Sequence, residues 1–177
     1  MSVAFELLLP FANVDISVRR VAKAWTSHAL QLAAGVLDVD VDVDALAHHC
    51  QPVRPLDAPV GGLSLVTRQD GRGVDLLDGR GAHDRDVLER RVDAIWAMLP
   101  ESFSADLPVV EGHLLIDALD DISSQVVAWS LALTLVHVTR GIAVSTSGDA
   151  IWIDAEDDAL VMNGPTVANA EREGSEP

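Results

Sequence analysis

The chain has one cysteine (Cys50), one lysine (Lys23) and no tyrosine among its 177 residues. A single cysteine rules out a disulfide within the chain. Bases are scarce: 12 against 28 acids, for a net charge of −16. A field of that sign repels nucleic acid and anionic lipid, so neither is an expected partner. Walker and dinucleotide-binding fingerprints are missing. The most apolar stretch, Val126 to Val138, is 13 residues long, short for a membrane span. The opening "MSVAFELLLPFANVD" has no basic start and carries Glu6 and Pro10, which makes a poor signal peptide. A cytoplasmic location is therefore expected. Eleven of the twelve bases are arginine, a bias that fits a GC-rich bacterial genome.

What the chain does have is apolar bulk. Residues of that kind make up 49% of it, enough for a sizeable core. Val3 to Phe11 is apolar on both faces and reads as an interior strand. Asn13 or Asp15 can cap a following helix, along which Val14, Val18, Val21, Trp25, Ala29 and Leu32 recur up to a stop at Gly35. Next comes "VLDVDVDVDAL", where Asp38, Asp40, Asp42 and Asp44 alternate with valines. Period two predicts a strand with one wet face, although Asp is a poor strand former.

Residues 45–59 read as irregular, with three prolines. Leu63 to Arg68 and Val74 to Leu77 form a predicted hairpin turning at Asp70-Gly71. Asp84 to Leu99 is a helix with Leu88, Val92, Ile95 and Leu99 as its stripe. Gly112 to Leu119 is a strand, Ser123 to Arg140 a helix apolar nearly all round, and 142–154 a hairpin about Ser147-Gly148. The tail from residue 163 is polar and expected to be disordered, leaving 1–162 as a single domain.

An internal similarity joins the two halves. At an offset of 106, positions 7–36 share nine identities with 113–142, among them Asp15-Ile16-Ser17 on Asp121-Ile122-Ser123 and Gly35 on Gly141. The expected architecture is α+β. It has two diverged strand–helix–strand–strand units (3–77 and 112–154), helices on one face of an antiparallel or mixed sheet, and a connecting helix at 84–99. The tetra-aspartate strand would match Ile142 to Thr146.

Several motifs bear on chemistry. Asp40-x-Asp42-x-Asp44 imitates the start of a calcium loop, but the sixth and twelfth positions hold Ala45 and Gln51 instead of Gly and Glu. A strand would also hold these carboxylates ~6.5 Å apart, too far to share an ion. No metal or other cofactor is expected. His48, His49 and Cys50 are adjacent, which is poor ligand spacing. With His83 and Asp84 they would serve an enzyme only if the loop carrying them folds over the second helix. The two "DGRG" segments read as turns. His28 and His137 read as core histidines. In Ile151-Trp152-Ile153 the tryptophan must point opposite to its neighbours, and an outward Trp beside acids would anchor an interface.

The segment "WSLALTLVHVTRGIAVSTSGDAIWID", Trp129 to Asp154, resembles the helix–Gly–strand–turn–strand unit near the C-terminus of small acidic bacterial immunity proteins. That resemblance implies a binding module that occupies a basic surface on a partner protein, such as a toxin. The residues that would meet it are Asp38, Asp40, Asp42 and Asp44 together with Asp149, Trp152, Asp154, Glu156 and Asp157. The alternatives are a small metal-dependent or Cys/His enzyme with a site between the halves, and a subunit that self-associates as a homodimer.

Overall fold

The computed structural model describes residues 2–50, 55–66, 73–79, 83–101, 103 and 109–163. Among these the strands are β1 (Ser2–Leu9), β2 (Leu63–Val66), β3 (Gly73–Asp78), β4 (Gly112–Ala118), β5 (Ile142–Ser145), β6 (Ala150–Ile153) and β7 (Leu160–Asn163). The helices are α1 (Val18–Ala24), α2 (Ser27–Leu37), α3 (Val43–His49), α4 (Arg85–Trp96) and α5 (Ile122–Thr139). The protein is α+β. One seven-stranded sheet runs in the order β2-β3-β4-β1-β5-β6-β7, and every neighbouring pair is antiparallel.

β1 is interior, as its unbroken apolar run requires. Phe5, Leu7 and Leu9 face one side and pack into a cluster with residues of α1, α2, α3 and α5. Leu8 faces the other side and packs with Ile95 of α4. Helices therefore cover both faces of the sheet, not one. β4 and β5 both lie antiparallel to β1, one on each side, so they run parallel to each other and α5 joins them across β1. The inner strands β3-β4-β1-β5 have the order of a split β-α-β-β-α-β unit, with β2 added at one edge and β6 and β7 at the other.

α5 is apolar nearly all round because protein surrounds most of it. It lies along β1, β3, β4, β5 and β6 on one side and against α1 and α2 on the other. Its polar residues turn back on the helix: Ser130 Oγ donates to Val127 O at 2.7 Å and Thr134 Oγ1 to Ser130 O at 2.7 Å. By length and composition α5 could cross a membrane, more than its 13-residue apolar centre indicated, but 72% of it is buried inside the protein. It is a core helix.

The first predicted helix is broken in two. A short 3-10 turn at Asn13–Asp15 precedes α1, whose cap is Ser17, accepting from Arg20 N. Trp25 and Thr26 are extended, and the Trp25 indole donates to Ser130 Oγ of α5 at 2.8 Å. That bond pulls the chain off the helical path, and α2 starts afresh and runs through Gly35. The landmarks shared with the second half thus do different jobs, since Asp121 itself caps α5, accepting from Ser124 N at 3.0 Å. The hairpins also join in opposite sense: β4 takes the second strand of its pair (β3), while β1 takes the first (β5).

The tetra-aspartate stretch is not a strand. Asp38 closes α2 in the left-handed region at φ 52°, a conformation Asp tolerates better than most residues. Asp42 caps α3, its carboxylate accepting from Ala45 N at 2.9 Å, and Asp44 lies in the first turn, where the helix dipole favours an acid. The alternation is real: Val39, Val41 and Val43 pack on the core while the four aspartates are exposed. A loop between two helices produces it. β7 was not anticipated, and His28 and His137 are exposed. The turn at Asp70-Gly71 and the tail from residue 164 lie outside the described residues.

If Asp42 is a cap, Asp42→Ala should cost about 1 kcal/mol of stability in denaturant unfolding. Asp40→Ala should stay within about 0.5 kcal/mol. Equal effects would contradict the capping assignment.

Candidate functional site

The exposed aspartates Asp38, Asp40, Asp42 and Asp44 span the α2–α3 linker and the first turn of α3, held from beneath by Val39, Val41 and Val43. The valines fix the backbone and so limit how far the carboxylates can spread apart. Among the described residues no basic side chain pairs with them.

The other expected contact residues do not form one surface. Asp149 is buried, with its carboxylate accepting from the hydroxyls of Ser145 and Ser147, both at 2.9 Å. It shapes the β5–β6 turn, where Gly148 takes φ 92°. Asp154, Glu156 and Asp157 belong to the β6–β7 turn, at the far end of β6 from Asp149. There Asp154 accepts from the backbone of Glu156 and Asp157, at 2.8 and 3.3 Å. Asp158, in the same turn, is paired with Arg140.

Trp152 does point opposite to Ile151 and Ile153, but that face is covered. It is 1% exposed and packs against Phe103, which in turn meets Trp96, at ring separations of 5.3 and 5.6 Å. The expected outward anchor is an inward one.

The Cys/His candidates separate. Cys50 is buried, and burial pushes its thiol up to about 11, far from the reactive range. His48 and His49 are exposed on α3, on the first face of the sheet. His83 and Asp84 lead into α4 on the second face, with His83 3.5 Å from Asp78 and Asp84 capping α4. Among the described residues no group of three or more His, Cys, Asp or Glu is arranged to hold a metal. A small hollow between α1, β2 and α5 is lined by Val18, Val21, Trp25, Leu63, Leu65 and Leu131, with no charged group to do chemistry.

One polar cluster lies where sequence reasoning did not look. Glu6 is the charge in the apolar run of β1 and faces α4. Its Oε2 accepts from Arg91 Nε at 2.6 Å, its Oε1 takes the Nη2 of the same guanidinium, and His113 Nε2 is 3.1 Å from Oε2. Burial works against the charge on Glu6. The hydrogen bonds from His113 and Arg91, with the positive charge of Arg91, outweigh it and hold the carboxyl at about 2. Arg91 is correspondingly raised by its bond to Glu6.

His113 is 3% exposed and is fixed from behind. Its backbone oxygen accepts from Gly79 N at 2.8 Å and Asn13 Nδ2 at 2.6 Å. Asn13 Nδ2 also donates to Asp78 Oδ1 at 2.8 Å. Gly79 lies against the ring so closely that a Cβ there would come within 2.1 Å of Nδ1. Gly79 thus packs directly on Nδ1, and among the described residues this cluster ties β1, β4 and α4 together. The available signal was the pairing of a lone acid in a core strand with an arginine on the predicted 84–99 helix.

No family model, curated protein or solved structure matches the chain.

Gly79→Ala should displace the His113 ring and cost about 1–3 kcal/mol as an overpacked site, measured by urea unfolding. The acid limb of stability follows from Glu6. Its folded value lies below its ordinary 4.5, so its contribution is whole above 4.5 and is lost as pH falls toward 2. Glu6→Gln should flatten that part of a stability–pH curve, and an unchanged slope would contradict the assignment.

Proposed function

We propose that this protein is an acidic binding module of the immunity or inhibitor type, acting by occupying a basic surface on another protein. The observation that carries this reading is the linker between α2 and α3. With the first turn of α3 it presents four exposed aspartates, Asp38, Asp40, Asp42 and Asp44, over a valine base packed on the core. Holding like charges together is unfavourable in isolation, and a cationic partner relieves the repulsion. With a net charge of −16 behind it, such a surface speeds encounter with a basic partner and slows encounter with an acidic one. Glu156 and Asp157 extend the same sign at a separate place. The dispersal of Cys50 and the histidines across two faces of the sheet weighs against the enzyme alternative.

The test uses the triple variant Asp38→Ser, Asp40→Ser and Asp44→Ser, leaving the Asp42 cap in place. Wild type and variant are immobilised and exposed at low salt to extract of the cells that make the protein. A basic protein retained in stoichiometric amount by wild type, released by salt and missing from the variant, is the expected result. Identical retention by both would overturn the proposal.

A further inference from the structure

The two faces of the sheet are covered unequally. On the first, α5 buries 13 of its 18 residues and lies along five strands, with α1 and α2 outside it. On the second, α4 buries two of its 12 residues, Leu88 and Ile95. Its backbone stands off from the strands, which approach α5 much more closely. Among the described residues one polar contact joins α4 to another element, and that is Arg91 on Glu6. The remaining hold is apolar: Ile95, with the partly buried Val92 beside it, in a cluster with Leu8, Ile142, Val144, Ala150 and Trp152, the buried Leu88, and the Trp96–Phe103–Trp152 ring series at the helix end.

We infer that α4 is a detachable cover, which lifts from the sheet as a unit while the rest of the fold stays intact, and that Arg91 on Glu6 is its latch. Elements that open below the global unfolding free energy are those with few buried apolar contacts. α4 meets that description and α5 does not. The latch itself is within reach of solvent, the Arg91 side chain being 38% and the Glu6 side chain 20% exposed. Salt therefore weakens it without unfolding the core. Opening uncovers the apolar residues that Ile95 packs with, Leu8, Ile142 and Val144 among them, next to Glu6.

The experiment is hydrogen–deuterium exchange on the full chain, wild type and Arg91→Met, with Arg91→Lys as the conservative control. In wild type the α4 amides are expected to exchange well before those of β1 and α5, and sooner still as salt rises. Arg91→Met should speed α4 exchange by at least about tenfold, the effect of losing one charge-assisted pair. It should leave β1 and α5 unchanged and abolish the salt dependence, and Arg91→Lys should fall between. The inference is overturned if α4 exchanges only together with α5. It is equally overturned if Arg91→Met accelerates every element alike, or leaves α4 unchanged.

Discussion

The double burial of β1 dictates most of this structure. A strand that is apolar on both faces has to be covered twice, and the two covers are built differently. Toward the first face the chain supplies a helix buried along most of its length, α5, and then a second layer, α1 and α2, to keep water from its back. Toward the second face it supplies α4, which is polar on its outer side and therefore needs no further layer. The sheet order follows from the same demand. Placing β4 and β5 on either side of β1 leaves no exposed edge on the most apolar strand and gives α5 its crossover.

The elements legible in the sequence were those whose local pattern and tertiary setting agree. β4, α5, β5 and β6 lie within a residue of where periodicity and the glycines Gly141 and Gly148 put them, and α4 begins at its Asp84 cap. Two of the misreadings, at Trp25 and Trp152, come from a tertiary contact that local pattern does not carry. Trp25 breaks an otherwise continuous helical stripe because its indole finds Ser130, which is 105 residues away. Trp152 was read as outward because its neighbours are inward, a valid inference for a sheet with one free face. Here Phe103 and Ile95 close that face. The linker at 38–42 shows that period two records alternation of burial and not strand geometry. The stronger local signal was the residue type, since aspartate favours helix ends over strand interiors.

The site was legible in part for the same reasons. Exposure of Asp38, Asp40, Asp42 and Asp44 followed from hydropathy alone and survives the change from strand to linker. Grouping Asp149 with Asp154, Glu156 and Asp157 failed because a four-residue strand lies between them and carries them to opposite ends of β6. Four of the acids in question, Asp42, Asp149, Asp154 and Asp157, are occupied in holding local backbone or hydroxyl geometry. Their charge still contributes to the field, while their side chains are not at liberty to reorganise around a partner.

Glu6 shows what a charge in such a strand accomplishes. A purely apolar contact between α4 and the sheet would allow several seatings of nearly equal free energy, because methyl groups of Leu8, Ile142 and Val144 offer no direction. A guanidinium gripping both oxygens of one carboxylate has a single geometry. His113, held by Gly79 and Asn13, stops that carboxylate from turning. Replacing both partners by apolar side chains would change net stability little once desolvation is counted, whereas removing one strands the other. What it supplies is registry, together with a contact that solvent and salt can reach. A cover that must seat in one place and still come off needs a strong directional contact at its rim more than a large apolar one at its centre. The division between Arg91, 38% exposed, and Ile95, fully buried, has that form.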